Sequence, residues 1–125
     1  MLQSQRLKGI NPDLVAVVNR AAELCDVEFT IAEGVRALSR QKYLFSIGKS
    51  KTMNSRHLTG HAVDLIPIND GKMLEDWPSY HKIRDAMKTA AQELGIPVEW
   101  GGDWASFVDG PHWQLPWADY PKAAL

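Results

Sequence analysis

The chain has 125 residues, 45% of them hydrophobic and 23% charged, a size and balance that predict one soluble domain with its own core and exclude a disordered chain. Fourteen Lys and Arg against fifteen Asp and Glu leave a net charge of −1, so no whole-molecule field favours nucleic acid or an acidic membrane. The single cysteine, Cys25, excludes an internal disulfide and points to a reducing compartment, and the early apolar run Leu14 to Val18 is too short for a signal segment or a membrane span.

The first helix is predicted from Pro12 to Leu24. Asn11 suits its N-cap and Pro12 its first position, and Leu14, Val18, Ala21 and Cys25 recur at helical spacing as one apolar face. Cys25 reads as a small core residue, because nothing near it in sequence would activate a thiol. Glu28 to Ala32 alternates as a short strand closed by Gly34. A second helix is expected from Ser39, as its cap, to Ile47, with Gly48 as its stop. Lys49 to Asn54 reads as a mobile loop. His61 to Ile68 reads as a strand that ends at Pro67 or lies on an edge, followed by an Asn69-Asp70-Gly71 turn.

The strongest helix signal runs from Ser79 to Leu94, with Ile83, Met87, Ala90 and Leu94 on one stripe, His81 off it on the surface, and Gly95 and Pro97 as terminators. Val98 to Trp100 and Pro111 to Leu115 are short strands. Together these elements give an α+β domain, a small, mostly antiparallel sheet flanked by helices. No repeat, linker or low-complexity tract divides the chain, so residues 1–125 are expected to form a single domain.

The net charge averages two unlike halves. Residues 1–60 carry nine basic and five acidic side chains, residues 61–125 five and ten. Arg36, Arg40, Lys42, Lys49, Lys51 and Arg56 follow one another without an intervening acid. That run is either a solvated face or a rim that attracts an anionic substrate.

Three polar residues interrupt segments that should be buried: His57, Asp64 and His112. A lone carboxylate between Val63 and Leu65 costs several kcal/mol, on the order of a desolvated charge, unless it is paired or metal-bound. Two imidazoles and a carboxylate are a common zinc set with a fourth position open. Taken singly, each histidine is equally well a hydrogen-bonded core residue. HLTGH (His57 to His61) is not the helical HExxH motif, since Leu58 stands where the general-base Glu belongs and Gly60 interrupts a helix. In a strand, His61 and Asp64 point to opposite faces, which makes His57 the better partner.

The segment Ser55-Arg56-His57-Leu58-Thr59-Gly60-His61-Ala62-Val63-Asp64 resembles the SxHxxGxAxD signature of the VanY-like zinc peptidases, and Asp109-Gly110-Pro111-His112-Trp113 resembles their closing acidic-x-x-His motif. That group includes D-alanyl-D-alanine carboxypeptidases and dipeptidases and phage L-alanyl-D-glutamate endopeptidases. Glu33-Gly34-Val35-Arg36, Arg40-Gln41 and Trp100-Gly101-Gly102-Asp103-Trp104 are most similar to the phage endolysins, and the resemblance spans about residues 11–117. It implies a hedgehog/D-Ala-D-Ala peptidase-like fold with a zinc site on the sheet, and His57, Asp64 and His112 as the Zn2+ ligands. It makes Asp109 the general base, where many relatives have Glu, and Arg36 the residue that supports the oxyanion. Ser55 becomes a supporting hydroxyl near substrate. Of the four tryptophans around His112 (Trp100, Trp104, Trp113 and Trp117), at least two are expected to fill the core, and Trp104 or Trp113 is the candidate to line the substrate groove.

The resemblance implies an endolysin that hydrolyses a peptidoglycan stem peptide at the L-alanyl-D-glutamate bond and lyses the cell. It would be a monomer without a separate wall-binding domain, nucleic-acid partner or membrane insertion, stored in the host cytoplasm and released through a holin. The alternatives are a D-alanyl-D-alanine carboxypeptidase or dipeptidase of the same fold, and a non-catalytic zinc-containing wall-binding module.

Overall fold

In the computed structural model, which describes residues 4–50, 52 and 55–121, α1 spans Pro12–Leu24 as the sequence predicts. Asn11 caps it by accepting the Asp13 N–H, and Leu14, Val17, Val18 and Ala21 form its buried face. Cys25 is the C-cap and packs against the core from its margin. The longest helix, Trp77–Leu94, begins two residues before the expected start, because the Asp76 carboxylate accepts the Ser79 N–H and Pro78 occupies the first turn. We number it α3, after α2 at Leu38–Ser46. Its stripe of Tyr80, Ile83, Ala86, Met87, Ala90 and Ala91 packs against α1, while Leu94 leaves the core in the last turn before left-handed Gly95.

Among the described residues five antiparallel strands accompany the helices: β1 (Phe29–Glu33), β2 (Ala62–Asn69), β3 (Lys72–Met73), β4 (Glu99–Trp100) and β5 (His112–Gln114). Their order is β1-β2-β5-β4, with β3 paired to the far end of β2 through a two-residue turn at Asp70 and Gly71, both at positive φ. The alternation of strand side chains sorts the sheet into two faces. Phe29, Ile31, Val63, Leu65 and Trp113 join the cluster formed with α1 and α3. Asp64, His112 and Gln114, one residue out of phase, lie on the opposite face.

Two local expectations need correction. Pro67 does not end β2 or mark an edge; it pairs with Phe29 inside the strand. On the side its nitrogen faces, β2 changes partner. Leu65 donates to Pro111 O, and the next bond on that side is Leu74 N–H to Pro67 O, so the missing N–H falls in the gap between β5 and β3 and breaks no ladder bond. Ser39 is not the cap of α2. Ala37 holds that position without a side-chain bond, and Gln41 is the helix's one buried residue. The short turn Arg56–Thr59 is a separate 3-10 helix that ends at left-handed Gly60, which excludes a long zinc-binding helix there. Of the expected 49–54 loop, Lys51, Met53 and Asn54 lie outside the described residues.

Candidate metal centre and cleft

The site begins with the register of two strands. Asp64 on β2 and His112 on β5 are direct cross-strand partners, so both project from the sheet face opposite the helices. His57 approaches from the Arg56–Thr59 turn, whose first N–H groups are met by the Ser55 hydroxyl: Ser55 Oγ accepts from His57 N. One donor atom from each of His57, Asp64 and His112 lies within 4.8 Å of the others. Among the described residues this is the group of His, Cys, Asp and Glu side chains placed to hold a metal ion.

Each imidazole has its outer nitrogen anchored. His57 Nδ1 lies 2.9 Å from Gly34 O, and His112 Nε2 lies 2.8 Å from Gln114 Oε1. Both anchors are acceptors, so the outer nitrogens carry the protons and the inner ones present lone pairs. The inner nitrogens sit 3.3 Å and 3.5 Å from Asp64 Oδ1. Three acceptors at that spacing require a proton or a cation among them, and the N/N/O set suits a divalent transition metal. Burial works to raise the Asp64 carboxyl, but the hydrogen bonds and charges of His112 and His57 outweigh it and hold the group well below the usual carboxylate range. Burial alone would lower His112, yet Asp64 raises it above the ordinary imidazole value.

Asp109 stands on a turn braced from the core. Its N–H donates to Gly101 O, and Trp100, stacked on Trp113 beneath the sheet, donates Nε1–H to Gly110 O at 2.7 Å. Burial and then the nearby Asp64 charge raise its carboxyl above the normal value, against the pull of His112, His57 and Arg36. That direction suits a group that must take up and return a proton.

Arg36 is placed by a device the sequence does not display. The β1–β2 register slips between Ile31 and Glu33, so a bulge at Ala32 sets Glu33 opposite Asp64. Without it Glu33 would point to the core face with Ile31. Turned to the site face, Glu33 grips Arg36 in two bonds, Nε to Oε1 at 2.8 Å and Nη2 to Oε2 at 2.7 Å. Gln41 accepts from Nη1 at 2.7 Å and ties the helix to Ser50 and the Thr52 carbonyl. The guanidinium lies 3.9 Å from Asp64 Oδ2.

A cleft of about 550 Å3 opens over these groups, lined among others by Arg36, Ser55, His57, Asp64, Trp104, Asp109 and His112. Trp104 leans on His112 with ring centroids 5.0 Å apart. Trp113 is absent from the lining. It is 1% exposed and packed in the core, because a strand that turns His112 toward the cleft turns its neighbour away. His61 also stays outside, bonded to Thr59 and facing Tyr120. Sequence reasoning gave no individual role to Glu33, Gln41 or Gln114, and read Arg56 only as part of the basic run and Trp117 only as one of four tryptophans. Glu33 and Gln41 carried a signal in the segments that resemble the phage endolysins, and Gln114 in standing two strand positions from His112 on the same face.

The basic run divides. Arg56 is buried and Arg36 half-buried, so neither belongs to an outer rim, whereas Arg40, Lys42 and Lys49 are exposed.

A family model of phage L-alanyl-D-glutamate peptidases matches residues 2–115. The chain is 33% identical over 111 residues to the L-alanyl-D-glutamate peptidase of Escherichia phage T5, covering 84% of this chain and 80% of that protein. It is 37% identical over 94 residues to the L-alanyl-D-glutamate peptidase of Listeria phage A118, 75% of this chain but 32% of that longer protein. Among solved structures, the L-Ala D-Glu endopeptidase ChiX of Serratia marcescens superimposes with a TM-score of 0.92 at 42% identity, over 98% of this chain and 95% of that one.

Proposed function

The chain belongs to the phage L-alanyl-D-glutamate peptidase family, and from that premise we propose that it is a zinc-dependent endolysin that hydrolyses the L-alanyl-D-glutamate bond of peptidoglycan stem peptides. The observation that carries the reading is the convergence of His57, Asp64 and His112 under a cleft that also holds Asp109 and Arg36.

His57, Asp64 and His112 would hold the ion through their inner donor atoms, with Gly34 and Gln114 fixing the two rings. Zinc, when bound, supplies Lewis acidity toward a carbonyl oxygen and makes water acidic enough to ionise near neutral pH. Asp109 takes the proton of the attacking water and returns it to the nitrogen of D-glutamate as the carbon–nitrogen bond breaks. Arg36, immobilised by Glu33 and Gln41, directs its remaining N–H groups toward the carbonyl oxygen of alanine as charge gathers there. Ser55 acts through His57, and Trp104 walls the cleft beside His112. The enzyme acts on the wall after leaving the host cytoplasm in which a phage protein is made.

Mass spectrometry of digested peptidoglycan tests bond and reaction together. New N-terminal D-glutamate is expected; release of D-alanine instead would make the chain a carboxypeptidase. Chelation should abolish the activity and zinc restore it. Lysis that persists in chelator would refute the metal assignment.

A further inference from the structure

Three arginines line the cleft, Arg36, Arg40 and Arg56. Arg40 is exposed at its mouth, and the charges of the other two are handled in opposite ways. Arg36 is neutralised by the two-bond grip of Glu33. Arg56 is 1% exposed and makes no ion pair among the described residues, although the charge of Glu99 acts on it from beyond ion-pair distance. Its bonds go to neutral carbonyls: Nε donates to Leu115 O at 3.2 Å, and Nη2 donates to Pro116 O at 3.1 Å and to Tyr120 O. Trp117 covers one face, its ring centroid 3.8 Å from Cζ. Nη1 is buried with no hydrogen-bond partner.

A desolvated cation with an orphaned nitrogen is costly in a resting protein unless something else meets the charge. Arg56 stands next in sequence to His57 and lines the same cleft as His57, Asp64 and His112. Trp117, which lies over one face of the guanidinium, is only partly buried and forms part of the cleft surface.

We propose that Arg56 is a specificity-determining residue whose Nη1 receives the α-carboxylate that D-glutamate carries next to the scissile amide nitrogen, with Trp117 turning aside to admit it. The inference rests on the L-alanyl-D-glutamate reading and deepens it. In that bond the α-carboxylate is attached to the carbon bearing the leaving nitrogen, so it is the substrate's nearest negative charge to the reacting atoms. Arg36 is gripped by Glu33 and, in the proposed reaction, turned to the alanine carbonyl oxygen, so it is already engaged. A guanidinium fork matches a carboxylate and does not match a carboxamide, which brings its own N–H groups.

The test compares a stem peptide bearing free D-glutamate with the same peptide bearing D-isoglutamine, in which that carboxylate is an amide. The wild-type protein should cleave the amide with kcat/KM lower by roughly tenfold or more, mainly through KM. In Arg56→Gln the two peptides should be cleaved alike. Equal handling of both peptides by the wild type overturns the proposal, as does a folded Arg56→Gln that keeps the full preference. Arg40→Gln/Lys49→Gln leaves Arg56 and its carbonyl partners in place and keeps the test decisive if Arg56→Gln does not fold. The double variant should retain the preference, and its disappearance would move the recognition to the exposed cations. Binding gives a second readout. The product peptide with N-terminal D-glutamate should change tryptophan emission at about tenfold lower concentration than its D-isoglutamine counterpart, and Trp117→Phe should remove that change. Failure to cut either peptide at this bond would refute the underlying reading instead.

Discussion

The imidazole anchors show how much of the site lies in groups that hold the candidate ligands in place. Gln114 fixes the tautomer of His112 through a 2.8 Å contact and is itself held by Glu99. Gln114→Ala should therefore weaken zinc affinity by roughly 10- to 100-fold, read by competition with a chromogenic chelator, while the fold stays intact by circular dichroism. Asp109 makes the opposite prediction. Asp109→Ala should keep its zinc and lose roughly 10²- to 10⁴-fold in peptide hydrolysis, because a proton acceptor is removed while the ligands remain. Unchanged hydrolysis would remove Asp109 from the reaction. At this scale the sequence was informative for His57, Asp64 and His112, which stand as polar interruptions in apolar surroundings. It marked the Glu33-Gly34-Val35-Arg36 segment but not the direction of Glu33, which depends on a bulge at Ala32 that leaves no mark in composition or period.

Elements that position the site depend on close backbone approaches. Gly60 ends the turn that carries His57 at φ +78°, and a Cβ there would lie 2.3 Å from Gly9 O. Asn11 N–H also donates to Gly60 O at 2.8 Å, which docks the turn onto the entrance of α1. Gly60→Ala should cost on the order of 3 kcal/mol, measured by urea denaturation, since both the dihedral and the contact must give. Gly48→Ala is the control, at φ +77° with nothing within 4 Å of the added carbon; it should cost only the dihedral share of that loss. The helices were the most legible elements, because Asn11 and Gly95 are local signals that tertiary structure had no reason to override. Pro67 misled because its local meaning, a broken ladder, is cancelled by a partner change that only the assembled sheet contains. The start of α2 misled for a related reason: its one buried side chain is Gln41, so the site and not an apolar stripe holds it.

For the whole molecule, the near-zero net charge conceals a sorted surface. Arg36 and Arg56 are withdrawn into the cleft wall, and Arg40, Lys42 and Lys49 face solvent on and after α2. If these exposed cations hold the anionic wall, cosedimentation with purified peptidoglycan should fall as sodium chloride rises from 50 to 500 mM, across which screening lengths shrink to roughly 4 Å. An Arg40→Ala/Lys42→Ala/Lys49→Ala variant should be weaker at low salt and nearly insensitive to it; a steep salt dependence retained by that variant would relocate the interaction. The pairing of Asp64 with His112 reaches further still, into how the chain finds its fold. Sliding β5 by one position would carry His112 to the helix side and bring Trp113 to the cleft side, and β5 has only three residues with which to resist the slip. An ion that can be gripped only in the native alignment rewards that alignment over its neighbours, so zinc would serve during refolding as a bookmark between two strands. Chain refolded in chelator should then recover β5 amide protection later than α1 and α3, and added zinc should close that interval.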